Sequence, residues 1–232
     1  MKRAGNYWVP DEEQIQLEAL AKGGWQLDHL EKALRLVKKR RVAVDGGAHI
    51  GSWTLRMAET FQCVIAFEPS PETFKCLEAN VREWRESHEN GKCDIVLNKF
   101  ALGETAGLMS MGEDSKYSDG GNTGGRYLVD KPGDINVRRL DTFGLERLDF
   151  LKLDIEGFEL YALKGARETL LKFRPVIMIE EKIRIAHRYG LRATDAGEFL
   201  ESLGAYHRGS FGSDHFYGWP KLPEGQRKRS NA

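Results

Sequence analysis

A mostly parallel β-sheet wrapped by helices on both faces is the fold class this chain predicts, and three observations predict it. Short apolar runs recur between segments of helical period, the βαβ alternation of a parallel sheet. The first run ends in Asp45 and passes directly into a glycine-rich turn, Gly46-Gly-Ala-His-Ile-Gly51. The second, Cys63-Val-Ile-Ala-Phe-Glu68, ends in an acid 22 positions after Gly46, the spacing at which a βαβ unit brings a carboxylate to a ribose hydroxyl pair.

Each element carries its own signal. Glu12 to Ala21 and Leu27 to Val37 place apolar residues at helical spacing, so residues 1–40 are predicted to form a helical cap. A strand over Arg41 to Asp45 leads to a helix from Ser52. The strand Cys63 to Glu68 leads to a helix opened by Ser70-Pro71-Glu72, where proline suits the first turn because its missing N–H has no partner there anyway. Asp94 to Asn98, Asp149 to Asp154 and Pro175 to Glu180 read as further strands, the last two separated by an amphipathic helix through Leu160, Leu163, Leu170 and Phe173. Ala196 to Leu203 is helical, and Ala205 to Phe211 with His215 to Trp219 is predicted as a terminal hairpin, which sets an antiparallel strand at the sheet edge.

One stretch breaks this rhythm. Residues 103–127 contain Gly103, Gly107, Gly112, Gly120, Gly121, Gly124 and Gly125, too many glycines for a helix. A flexible insertion is predicted, with a lid near the strand ends the better reading and plain disorder the alternative; Leu108 to Met111 and Asp134 to Arg138 would pair at its base, with Ser118 to Gly125 at its tip. Residues 41–220 then form one domain, and 221–232 a polar tail.

Composition bounds the function. The chain has 232 residues, 41% of them apolar, enough for one substantial core. Thirty-five basic residues balance thirty-five acidic ones, which argues against a protein built to coat nucleic acid or an anionic membrane. Cys63, Cys76 and Cys93 are odd in number and lack metal-ligand spacing, so they read as reduced thiols. With no apolar run of membrane-spanning length and no apolar signal core after Met1, a cytoplasmic location is expected. The oligomeric state stays open, a homodimer being one option.

Charge selects the cofactor. Gly46, Ala48 and Gly51 fit a degraded dinucleotide-binding spacing, but Asp45 stands where a pyrophosphate would approach, and two anions in a poorly solvated turn repel. S-adenosyl-L-methionine carries an ammonium and a sulfonium and no phosphate. Asp45 would then meet its ammonium end, while Glu68 accepts from both ribose hydroxyls. Phe100 and the backbone at Ala101 offer a platform for the adenine, with packing an equal alternative for Phe100. Tyr7, Trp8 and Trp25 are weighed as walls of an acceptor pocket, with simple packing the better reading.

Five blocks in order, VDGGAHIG, FEPSPETFKCLEANV, NKFALGETAG, VRRLDTF and DFLKLDIEGFELYALKGARETLLKFRPVIMIEE, resemble the FkbM family of S-adenosylmethionine-dependent methyltransferases over about residues 40–181. The resemblance implies a seven-stranded Rossmann-like sheet and a cofactor site drawn from Asp45, Gly46, Gly47, His49, Gly51, Thr54, Glu68, Pro69, Ser70, Phe100, Ala101 and Asp154. His49 stands where the family block usually has Asn. The implied activity is methylation of a hydroxyl on a small sugar, polyol or secondary metabolite. An RNA ribose methyltransferase (suggested by Lys152, Asp154 and Lys182), a cofactor-binding protein without catalysis and a nicotinamide oxidoreductase are the alternatives.

A sugar hydroxyl is weakly acidic, so its methylation needs a base. Asp154 and Glu180 end neighbouring apolar runs and should emerge at one sheet edge with Glu156, Glu159 and Glu181, where carboxylates raise one another's pKa. Asp154, Glu180 and His215 are the candidate catalytic residues, with His187 a further option. For Glu159, a helix-start acid is as good a reading as a substrate role. A divalent metal is not favoured, because no ligand spacing demands one.

Overall fold

In the computed structural model, residues 1–88, 93–113 and 121–220 are described. The chain opens with a hairpin, β1 (Lys2–Ala4) and β2 (Tyr7–Val9), then helices α1 (Leu17–Ala21) and α2 (Leu27–Leu36). The βα alternation follows: β3 (Val42–Gly46), α3 (Ser52–Ala58), β4 (Cys63–Phe67), α4 (Pro71–Ser87) and β5 (Asp94–Asn98). Four strands make a small second sheet: β6 (Ala101–Leu102), β7 (Gly107–Glu113), β8 (Arg126–Val129) and β9 (Ile135–Arg138). The chain returns through β10 (Phe150–Leu153), α5 (Glu159–Lys164), α6 (Arg167–Phe173), β11 (Val176–Glu180), α7 (Ile183–Ala186) and α8 (Asp195–Ser202), and ends in β12 (Tyr206–Phe211) and β13 (Asp214–Gly218).

The main sheet has seven strands in the order β12-β13-β11-β10-β3-β4-β5, the predicted mostly parallel architecture. Its antiparallel member is β13, one place in from the margin, because the second strand of the terminal hairpin pairs with β11 and carries β12 outside it. Alternate residues of the central strands feed two cores, as a sheet buried on both faces requires. Ala43, Phe150, Met178 and Phe216 pack with α2, α3 and α4, whereas Val44, Leu151, Ile177 and Tyr217 pack with α5, α6 and α8.

Three local expectations are corrected. The N-terminal cap is not wholly helical: Gly5-Asn6 turns a hairpin, and α1 begins only at Leu17 because the Glu13 carboxylate takes the N–H groups of Ile15 and Gln16. The helix through Leu160 and Phe173 is two helices: the backbone leaves helical geometry at Ala166, with φ −110° and ψ 5°, and Gly165 beside it packs so close to the backbone of residue 103 that a Cβ there would sit 1.9 Å from the carbonyl oxygen. The glycine-rich insertion is in part regular structure: Gly107 to Met109 pair with Ile135 to Val137 at its base, as expected, and Ser110 to Glu113 pair with Arg126 to Val129. Within its expected tip, residues 121–125 are described and 118–120 are not; the polar tail also lies outside the described residues.

Candidate functional site

The glycine turn sits at the carboxyl end of β3, between β4 and β10. Gly47 has φ +75°, and a Cβ there would lie 1.9 Å from the Asp154 carbonyl oxygen, so only glycine closes the turn against the next loop. His49 also has positive φ, at 52°, a conformation that Asn and His tolerate better than most residues, which accounts for His49 in the Asn position. Above this turn opens a cleft of about 1340 Å³, counting its open mouth.

Glu68 lines the cleft and is held rigidly. One oxygen accepts from the His49 N–H at 2.9 Å, the other from the Ser70 N–H at 2.9 Å and the Thr73 hydroxyl at 2.8 Å. Burial raises its pKa against these hydrogen bonds. Gly46, Gly47, His49, Pro69, Phe100, Ala101 and Asp154 also line the cleft. Arg138 already covers one face of Phe100, its guanidinium carbon 3.9 Å from the ring centroid.

Four expected cofactor residues do not reach the cleft. Asp45 is fully buried beneath the turn, accepting from the Thr54 hydroxyl at 2.6 Å and facing the Lys152 ammonium at 3.0 Å. Its charge is therefore neutralised inside the protein, which corrects the expectation that it meets a ligand ammonium. Thr54 serves Asp45, Gly51 packs against Leu77, and Ser70 braces Glu68 and accepts from Arg126. Lys152, read from the sequence only as part of a Lys/Asp arrangement for the RNA-methyltransferase alternative, is the partner of Asp45; it lines the cleft and donates to the Gly47 carbonyl at 2.7 Å. A lysine inside the apolar run Phe150-Leu-Lys-Leu153 was the available signal.

Carboxylates gather at the other end. Asp154, Glu156 and Glu180 line the cleft, with oxygens within 4.8 Å of one another. Lys182 sits among them, 2.6 Å from Glu180. Burial, then the neighbouring Asp154, pushes Glu180 up to about 10 and Glu156 up to about 8. Glu159 turns away and accepts from the Ile155 and Gly157 N–H groups, the helix-start role. His215 is a correction. On β13 it alternates with Asp214, so its ring faces Glu181 and His207 on the opposite side of the sheet, while Asp214, hydrogen-bonded to His29 at 2.5 Å, takes the inward place. His187 does not line the cleft either. Of the N-terminal aromatics, Trp25 lines it together with Trp53, while Tyr7 and Trp8 pack around Val9 and Leu20.

A seven-stranded sheet of this order, with a glycine turn and a strand-end acid at its carboxyl edge, defines a Rossmann-like methyltransferase class. The model of the methyltransferase FkbM domain matches residues 45–204. The chain belongs to the FkbM methyltransferase family. Over 142 residues it is 28% identical to Methyltransferase 1 of Beauveria bassiana, covering 53% of this chain and 57% of that one. Over 155 residues it is 27% identical to Methyltransferase sdnD of Sordaria araneosa, covering 54% and 60%. The matched region thus spans little more than half of either relative. The crystal structure of an FkbM methyltransferase from Methylobacillus flagellatus superposes with a TM-score of 0.51 at 22% identity, covering 78% of this chain and 44% of that one, a likeness of fold.

Proposed function

We propose that the cleft binds S-adenosyl-L-methionine and that the protein transfers its methyl group to a hydroxyl of a small neutral acceptor, a sugar, polyol or secondary metabolite. One observation carries the cofactor reading. Among the described residues that line the cleft, Arg126, Lys152 and Lys182 supply the lysine and arginine cations, and each already faces carboxylates: Glu12, Glu72 and Glu113; Asp45; and the Asp154 and Glu180 cluster. No cation is left for a pyrophosphate, while Glu68 remains directed at the cleft. That balance suits a cationic, phosphate-free nucleoside. The cofactor, when bound, supplies an electrophilic methyl group, and the protein's part is to orient the acceptor and take its proton. The amides of Gln16 and Gln26 and the rings of Trp25 and Trp53 suit a hydroxylated ring. The raised pKa of Glu156 suits proton acceptance near neutrality. Lys182 already supplies positive charge beside Glu180, so turnover should survive a chelator.

The test is calorimetric titration with S-adenosylhomocysteine and with NAD. S-adenosylhomocysteine should bind more tightly, and Glu68→Gln should weaken it by roughly 1.5–3 kcal/mol, the scale of a charge-assisted hydrogen-bond pair. Unchanged affinity in Glu68→Gln, or preference for NAD, would sink the reading.

A further inference from the structure

The cleft is covered from two sides by segments far apart in the chain. Residues 12–16 come from the N-terminal region, and residues 121–126 lead into β8. Glu13 is fully buried at their junction. Its Oε1 accepts from the Ile15 and Gln16 N–H groups, both at 2.9 Å, and its Oε2 from the Thr123 N–H at 3.1 Å and the Thr123 hydroxyl at 2.5 Å. The Gln14 N–H donates to the Gly121 carbonyl at 2.8 Å. Gly121, with φ +69°, lies so close that a Cβ would sit 2.1 Å from the Glu12 carbonyl oxygen.

This junction is wired to the cofactor turn. Thr123 has one hydroxyl proton, which it donates to Glu13 Oε2, so the hydroxyl oxygen is left to accept from His49 Nε2, 2.8 Å away. The His49 backbone N–H in turn donates to Glu68. Burial holds this imidazole neutral, with its pKa lowered to about 4. Beside it, Arg126 is shared by three acids from three segments: Glu12 at 3.0 Å, Glu113 at 2.9 Å and Glu72 at 3.3 Å, with Ser70 Oγ at 2.8 Å. Without its guanidinium these carboxylates would repel one another across the seam. Ile15, Gln16, Thr123, Gly124 and Arg126 all line the cleft.

We propose that residues 12–16 and 121–126 form a two-part cover over the cofactor turn, that Thr123 and Arg126 are the positioning residues holding its halves together, and that cofactor exchange requires the halves to part. Hydrogen bonds and ion pairs join the halves, and such a seam opens without exposing a core. The proposal rests on the reading of the cleft as an S-adenosylmethionine site.

Stopped-flow fluorescence of Trp25 and Trp53 would follow S-adenosylhomocysteine entering and leaving the wild type, Thr123→Val, Arg126→Gln and Gly121→Ala. Association and dissociation should both quicken in Thr123→Val and Arg126→Gln, dissociation by at least about ten-fold, the equivalent of one lost charge-assisted hydrogen bond. Gly121→Ala, which wedges the seam by sterics, should act in the same direction without removing any polar group. Thermal melting establishes that each variant is folded. Either rate staying within about two-fold of wild type in both polar variants, or association slowing, would overturn the cover while leaving the cofactor reading intact. Failure of the wild type to bind S-adenosylhomocysteine would instead break the cofactor reading. The cover would then be judged by amide hydrogen exchange at residues 12–16 and 121–126, protected together in the wild type and lost together in Arg126→Gln if the proposal holds, unchanged if it does not.

Discussion

The two ends of β10 hold carboxylates under opposite regimes. Before its first residue, Asp149 meets Arg41 three times, at 2.9, 2.9 and 2.6 Å, through the backbone N–H, Nε and Nη2. Burial alone would push Asp149 up, but these donors outweigh it and hold its pKa below the ordinary value. Beyond its last residue, Glu156 and Glu180 are raised by burial and by Asp154 nearby. An acid with its own cation is a fastener. Acids crowded together, with Lys182 shared among them, retain proton affinity that chemistry can use.

The largest expected effect tests whether Lys152 is a fastener lying inside the site. It sits on β10 in register with Asp45 and is almost fully buried with it, so Lys152→Met would strand an unpaired carboxylate beneath the glycine turn. Removing one member of a buried pair costs roughly 3–5 kcal/mol, and urea unfolding should show a loss of that order. Asp45→Asn combined with Lys152→Met should regain much of it. A loss below about 1 kcal/mol would mean that the pair contributes little and that the two ends of β10 differ less than the geometry implies.

Glu159 sharpens the comparison, because it lies at the crowded end yet serves structure. Burial, then Asp154, raises it to about 7, against the pull of the Ile155 N–H. A carboxyl whose folded pKa exceeds its unfolded value near 4.5 contributes stability that is complete below 4.5 and is lost as pH rises through about 7. Glu159→Gln keeps an acceptor for the Ile155 and Gly157 N–H groups and does not titrate. The variant should match wild type near pH 5 and exceed it by about 2 kcal/mol near pH 9, read from denaturant midpoints at each pH. A constant difference across that range would show that Glu159 is not titrating there.

How much of this was legible follows from the same chemistry. The strands were readable because both faces of a central strand are buried, which writes unbroken apolar runs such as Cys63 to Phe67 into the chain. Gly47, Glu68, Asp154 and Glu180 were readable because a strand-end position at the carboxyl edge is fixed by the alternation itself. The partner of Asp45 was not, because it depends on which strands are neighbours and in what register: Lys152 stands opposite Asp45 only once β10 lies beside β3. His215 failed on parity, since in a strand one position decides the face and Asp214 holds the inward one. One half of the proposed cover falls within the glycine-rich stretch already expected as a lid, but its N-terminal partner was hidden for a different reason. Glu13 and Thr123 are 110 residues apart, and nothing local in either segment announces the other.

The smallest expected effect lies at the other end of β10, where Asp149 is paired with a partly exposed Arg41. Asp149→Asn keeps one oxygen as an acceptor and removes the charge, so with solvent screening the loss at pH 7 should be about 1 kcal/mol. Its pH dependence has the opposite sign to that of Glu159. A carboxyl held below its ordinary value near 3.8 contributes stability that is present above that value and lost as pH falls through the lowered folded pKa. Wild type and Asp149→Asn should therefore converge on acidification, from about pH 3.8 downward through the lowered folded pKa, whereas Glu159→Gln and wild type diverge on the alkaline side. Unfolding midpoints of the two variants across one pH series make the measurement. If Asp149→Asn kept a constant deficit as pH fell well below 3.8, the Arg41 contacts would be acting through hydrogen-bond geometry alone, and charge would not distinguish the two ends of the strand.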